Sequence, residues 1–142
     1  MKFFVLFATA FAARPECSKT VPDGMFRTML HPDRYLIVEA KKTFSTSSLE
    51  MSIVGKPAPV DPYDYDEEIR WEDFSPMLKK TVEYSLRPDC TLILDEANRE
   101  SLAAIIRAVH EITAYYIEGG LTYDLKEEDL MLGGWFPIVR VN

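Results

Sequence analysis

Cysteine, histidine and glycine are scarce in this chain of 142 residues, which contains two, two and six of them. Cys17 and Cys90 stand far apart, with no C-x-x-C pair and no cluster of histidines beside them, and this argues against a zinc site. The sequence also lacks a glycine-rich phosphate loop, a G-x-S-x-G turn and a basic run with interleaved aromatic residues. Nucleotide-binding and serine-hydrolase functions therefore receive no support.

A hydrophobic run long enough to cross a bilayer is also lacking near the N-terminus. The apolar run over residues 3–13 has only about eleven residues, so we predict no integral membrane segment. The run resembles a secretory signal, and the alternative is a buried first strand over residues 3–9. We predict a cytoplasmic protein; the alternative is secretion after cleavage near Ala12, as a small secreted effector in which Cys17 and Cys90 are joined.

The composition is that of a soluble globular protein, with 47% hydrophobic and 27% charged residues. The length fits a single domain over residues 1–142 with one core. Residues 61–73 contain seven acidic residues and one arginine, and hence most of the net charge of −7. The rest of the chain is close to neutral, which neither favours nor excludes an anionic substrate.

Alternation of apolar and polar residues predicts a β-hairpin from residues 36–41 and 49–53. Ser75 and Pro76 suit the start of a helix that Pro88 ends, with Leu78, Val82 and Leu86 on one stripe. A second helix is predicted over residues 99–117, capped by Asn98 and stopped by Gly119 and Gly120.

Short strands are predicted at residues 91–94 and 135–141, the latter at an edge or bulge because it contains Pro137. Residues 14–33 are predicted to be a connector, with a short helical turn at residues 25–30. Together these elements predict an α+β fold, with a mixed or antiparallel sheet of four to six strands and two main helices.

One constellation of residues has a recognisable chemical use. Asp23 follows Pro22, and the strand that comes after ends in Glu39 and Lys41, which lie on the same face because side chains alternate along a strand. Asp23 and Glu39 could hold Mg²⁺, which prefers oxygen ligands, and Lys41 would position or deprotonate the attacking water.

Pro22, Asp23, Glu39 and Lys41 resemble the motif of the PD-(D/E)XK nuclease-like superfamily, over about residues 21–42. The resemblance implies a nuclease-like core, a Mg²⁺ cofactor, a nucleic-acid substrate and phosphodiester hydrolysis. The alternative is an amphipathic hairpin whose outer face shows Glu39, Lys41 and Lys42 to water.

Residues 55–74 are predicted to be a surface loop rich in aromatic and acidic residues. Such a loop suits docking of a basic protein, because interfaces are enriched in Tyr and Trp and an acidic patch speeds encounter. This hypothesis makes the chain a non-enzymatic binding or inhibitory protein. The alternative is a solvated loop with Trp71 and Phe74 in the core. The predicted partner-binding residues are Tyr63, Asp64, Tyr65, Asp66, Glu67 and Trp71.

Overall fold

The described residues fold around a curled seven-stranded antiparallel sheet that forms a half-barrel, with one long helix packed against it. The structure is a computed structural model that describes residues 16–17, 20–57 and 73–141. Seven strands form the large sheet in the order β4-β3-β2-β1-β9-β8-β7, and β5 and β6 form a separate two-stranded ladder. The strands are β1 (Gly24–His31), β2 (Arg34–Lys42), β3 (Ser47–Gly55), β4 (Ser75–Glu83), β5 (Ser85–Leu86), β6 (Leu92–Ile93), β7 (Leu121–Asp124), β8 (Asp129–Leu132) and β9 (Phe136–Val141). The helix, α1, spans Glu96–Thr113.

The core lies on the concave face of the half-barrel, because alternate residues of each strand point inward. On β2 the inward residues Leu36, Val38 and Ala40 are buried, and they pair with Ile53, Met51 and Leu49 of β3. The predicted hairpin is therefore confirmed. Apart from Tyr84 and Tyr123, whose rings carry a hydroxyl, the buried side chains of the described residues are apolar, so apolar burial accounts for the packing of this core.

The predicted α+β fold with two main helices is wrong, because residues 75–83 form the edge strand β4. Leu78 and Val82 are four residues apart, a spacing that fits one face of a helix and also one face of a strand. In the structure they pair with Ile53 and Leu49 of β3, so the neighbouring strand decides between the two periods. Ser75 and Pro76 begin a strand at the sheet edge, where proline is tolerated.

Three further strands, β1, β7 and β8, form where the prediction had irregular segments. Residues 24–31, predicted to be connector with a helical turn, form β1 at the centre of the sheet, with Phe26 and Leu30 buried. The acidic stretch at residues 124–129 contains the turn between β7 and β8. These strands raise the main sheet above the predicted four to six.

The second predicted helix is confirmed, although it begins and ends three to four residues earlier than expected. Asp95 is its N-cap and accepts a hydrogen bond of 2.9 Å from the Asn98 N–H. The last predicted strand is also present, as β9. Pro137 lies where β9 pairs with β8 but no longer with β1, so its missing N–H costs no ladder bond.

Cys17 and Cys90 form a disulfide with a Cα–Cα separation of 5.2 Å. It ties the segment before β1 to the turn before β6, where Cys90 has a left-handed φ of 72°. Nearby, the Val21 N–H donates a 2.8 Å hydrogen bond to the buried Tyr84 hydroxyl. The N-terminal end of the described chain is therefore fixed to the half-barrel at two points. No helix in the described ranges is long and apolar enough to cross a membrane.

Candidate functional site

Two of the three residues predicted to form a metal site lie together on the outer face of the sheet. The Lys41 ammonium is 3.7 Å from the Glu39 carboxylate, and both side chains are about half exposed. Asp23 is exposed one residue before β1, whose first residue, Gly24, pairs with Ala40. All three side chains are therefore at the surface of the protein.

Lys41 and Glu39 belong to a row of surface charges that continues across the sheet. Lys41 also lies 3.5 Å from Glu50 of β3, and Glu50 lies 3.1 Å from Lys79 of β4. The hydrogen bond from Lys79, together with the charge of Lys41, holds the pKa of the Glu50 carboxyl below its ordinary value, despite some desolvation. The arrangement corresponds to the amphipathic hairpin that was the alternative, although β2 is an inner strand.

Nothing in the described chain supports the nuclease-like and metal-binding character predicted from the sequence. The fold is mostly β, and no three His, Cys, Asp or Glu side chains among the described residues are grouped so that they could hold a metal ion. The description of the chain as an α+β, nuclease-like and metal-binding protein is therefore corrected. Phosphodiester hydrolysis, the Mg²⁺ cofactor and the roles of Asp23 and Glu39 as its ligands, with Lys41 beside them, stay predictions from sequence alone.

The six residues predicted to bind a basic partner, from Tyr63 to Trp71, lie outside the described residues. Their role in binding stays a prediction. At the end of the same predicted loop, Phe74 contacts Tyr35 of β2 edge-on, with ring centroids 5.6 Å apart.

A different group of aromatic residues stands out on the surface. Tyr115 and Tyr116 follow the end of α1, and Trp135 lies in the turn between β8 and β9. The exposed fractions of the three residues are 52%, 71% and 49%. We call these three residues the aromatic surface.

The aromatic surface is held together by ring contacts. Tyr115 meets Trp135 edge-on, with centroids 5.7 Å apart, and lies 6.2 Å from the ring of Phe136. Phe136 is buried, and the Trp135 ring also packs edge-on against it at 5.9 Å. Edge-to-face pairs at these distances are favourable beyond the area that they bury. The exposed rings of Tyr115 and Trp135 therefore pack against a buried residue of the core.

The end of α1 places the two tyrosines. Ala114 adopts the left-handed conformation that commonly ends a helix, with φ 59°, and its N–H donates to the His110 carbonyl at 2.8 Å. The His110 ring contacts the Tyr115 carbonyl through Nδ1 and meets the Tyr116 ring edge-on at 6.1 Å. His110 is exposed, and through these two contacts it orients Tyr115 and Tyr116.

A pair of glycines places Trp135. Gly133 and Gly134 have φ of 65° and 80°, and the Gly133 N–H donates a 2.7 Å hydrogen bond to the Gly120 carbonyl. A Cβ on Gly133 would lie 2.6 Å from the Glu118 carbonyl oxygen, so only glycine allows this close approach. The turn that carries Trp135 is thus fixed against the loop that follows Tyr116.

The segment that carries the two tyrosines has acidic residues on both sides. Glu111 lies in the last turn of α1 and Glu118 lies two residues after Tyr116, and both are exposed. The nearest basic residue along this part of the chain is Arg107, one turn before Glu111.

The sequence signals for this surface were weak. Tyr115 and Tyr116 were assigned to the second helix, and Trp135 to the start of the last strand. Because α1 ends before Ala114, both tyrosines lie beyond the helix, where their side chains are exposed. Gly133 and Gly134 are typical turn residues. Contact between the turn that they form and the residues after α1, however, depends on the tertiary structure.

A further exposed ring, Phe44, stands at the tip of the turn between β2 and β3. Thr43 and Thr46 brace this turn, with a 2.6 Å hydrogen bond between their hydroxyls and a 2.8 Å backbone bond. Phe44 borders an open cleft of about 800 Å³ between this turn and the start of α1. Among the described residues Phe44 makes no ring contact, which makes it a weaker anchor than the aromatic surface.

Comparisons with protein-family models, curated proteins and solved structures find no match to this chain. The function is therefore inferred from the geometry of this molecule.

Proposed function

We propose that this protein is a binding protein, and that it recognises a basic partner protein through the aromatic surface formed by Tyr115, Tyr116 and Trp135. The observation that carries the proposal is the exposed pair Tyr115 and Trp135, whose rings pack edge-on against each other and beside the core residue Phe136. Tyr116 follows Tyr115 in the chain, and its ring meets the ring of His110 edge-on. Tyr and Trp dominate the energetic centres of protein interfaces.

Rigid placement of the rings favours binding. Aromatic side chains bury about 150–250 Å² each when covered, and those of the aromatic surface are half or more exposed. Covering them would return several kcal/mol at roughly 25 cal/mol per Å². Because the ring contacts already fix Tyr115 and Trp135, little side-chain entropy is lost on docking.

Charge points to a basic partner. Glu111 and Glu118 are exposed and lie on either side of the two tyrosines in the chain. Lys or Arg on a partner would interact with these carboxylates and with the faces of exposed rings. Complementary charge of this kind speeds encounter and selects among partners. This is the same partner class that the sequence predicted, at a different surface.

The test is selection of peptides from a random display library against the full chain. We expect the selected peptides to be enriched in Lys and Arg. Binding would be measured by fluorescence in a Trp71→Phe background, where Trp135 is the only remaining tryptophan. A shift of the Trp135 emission on titration would report contact with the aromatic surface.

Matched variants show whether the aromatic surface carries the binding. The affinities of the variants would be measured by calorimetry, because Trp135→Ala removes the fluorescent reporter. Tyr116→Ala and Trp135→Ala should each weaken binding of the selected peptides at least tenfold, as truncation of interface anchors does. Met77→Ala removes another exposed apolar side chain, on the edge strand β4, and should leave affinity unchanged. Peptides without basic residues, or equal affinity for all three variants, would contradict the proposal.

A further inference from the structure

A second feature, separate from the aromatic surface, is a groove of about 440 Å³ beside α1. Its helical wall is made by Arg99, Leu102, Ala103 and Ile106, which share one face of α1 because they are three and four residues apart. The buried side chain of Leu92 from β6 contributes to the opposite wall. The volume falls within the range of small-molecule sites.

Two arginines complete the lining of this groove. Arg87, from the turn before β6, and Arg99, from the first turns of α1, are both exposed. Within the described ranges neither guanidinium forms an ion pair. Two cations beside an apolar wall are unexpected on a chain with a net charge of −7.

The carboxylates closest to these arginines along the chain accept hydrogen bonds within their own turns. Asp89 accepts the Thr91 N–H at 3.0 Å, and Asp95 accepts the Asn98 N–H at 2.9 Å as the cap of α1. These hydrogen bonds, with smaller contributions from the charges of Arg87 and Arg99, hold the pKa of both carboxyls below its ordinary value. Neither arginine forms an ion pair with its neighbouring carboxylate, so both keep N–H donors for a ligand.

The geometry points to a site for a medium-chain fatty acid, with its carboxylate on Arg87 and Arg99 and its alkyl chain along Leu102 and Ile106. A guanidinium presents paired donors that match a carboxylate. The apolar wall would cover methylene groups that are otherwise exposed to water. No covalent step is involved, and the site does not depend on the proposed role of the aromatic surface.

The probe is dodecanoate, titrated into the full chain by calorimetry below its critical micelle concentration. We expect saturable binding with one site per chain. Shortening the chain to decanoate should weaken binding about two- to fourfold for each methylene removed, because the groove is open on one side. Dodecanol, which has the same chain without the charge, should bind at least tenfold more weakly.

Three variants locate the site. The double change Arg87→Gln and Arg99→Gln should weaken dodecanoate at least tenfold, and Arg107→Gln, on the same helix but outside the groove, should not. Ala103→Phe should fill the groove and abolish binding while keeping both arginines. Circular dichroism would check that each variant is folded.

The inference is overturned if dodecanoate does not bind, if dodecanol binds as tightly, or if the double arginine variant keeps full affinity. Equal binding to wild type and Ala103→Phe would likewise overturn it, because the chain would then lie elsewhere.

Discussion

Removal of the disulfide between Cys17 and Cys90 should lower the free energy of unfolding by an amount that follows from the length of the loop that it closes. Cys17 and Cys90 are 73 residues apart in sequence, and the loop that they close contains β1 to β5. We consider the double variant Cys17→Ala and Cys90→Ala. This variant lacks the cross-link. Its unfolded chain therefore has more conformational entropy than the unfolded chain of the cross-linked protein.

The chain-entropy relation for a loop of this length gives a loss of about 4 kcal/mol in the free energy of unfolding. For a domain of this size, that loss lowers the melting temperature by roughly 10–15 °C. The hydrogen bond from the Val21 N–H to the Tyr84 hydroxyl still holds the N-terminal segment. The variant should therefore keep its native fold and lose mainly stability.

Urea denaturation followed by circular dichroism would measure the change. Wild type treated with a reductant should match the double variant, and the reductant should have no effect on the variant itself. Because Cys90 has φ 72°, a second variant with Cys90→Gly in place of Cys90→Ala should be more stable by about 1 kcal/mol. This pair separates loop closure from backbone strain.

A double variant within about 1 kcal/mol of oxidised wild type would refute the reasoning, since it would mean that the closed loop contributes little. A further drop in stability of the variant on reduction would also contradict it.

Two other substitutions follow from the structure. Tyr84→Phe removes the acceptor of the Val21 N–H and should cost about 1–3 kcal/mol in urea denaturation. Burial raises the pKa of the Tyr84 phenol, so the folded state holds this proton more tightly than the unfolded state. Its contribution to stability should be complete below about pH 10 and decline above it, and a variant that declines as steeply as wild type would contradict this. Gly133→Ala should destabilise more than Gly134→Ala, because both positions have positive φ but only Gly133 faces the Glu118 carbonyl. Equal melting temperatures for the two variants would show that this close approach is unimportant.

The errors in the predicted fold arose where the spacing of apolar residues fits both a helix and a strand. Leu78, Val82 and Leu86 are spaced by four, which is one turn of a helix and also two repeats of a strand. Lys79 and Lys80 did not break the ambiguity, since charged residues suit the exposed face of either element. The hairpin over β2 and β3 was predicted correctly, because strict alternation over several residues fits only a strand.

The site was less predictable than the fold. The sequence placed its aromatic docking residues in residues 61–73, where composition alone is conspicuous. Tyr115 and Trp135 are twenty residues apart in sequence. They form one surface only because the end of α1 contacts the turn between β8 and β9. The sequence showed no local sign of this contact.

By itself, the sequence determined the β2–β3 hairpin, the long amphipathic helix and a single apolar core, because each depends on periodicity along a continuous stretch of chain. Tertiary structure alone decided that residues 75–83 form a strand, that Cys17 pairs with Cys90, and that Tyr115 rests on Trp135. These outcomes depend on which distant segments become neighbours. Strand pairing, disulfide geometry and ring contacts are relations between such segments, and a local pattern cannot encode them.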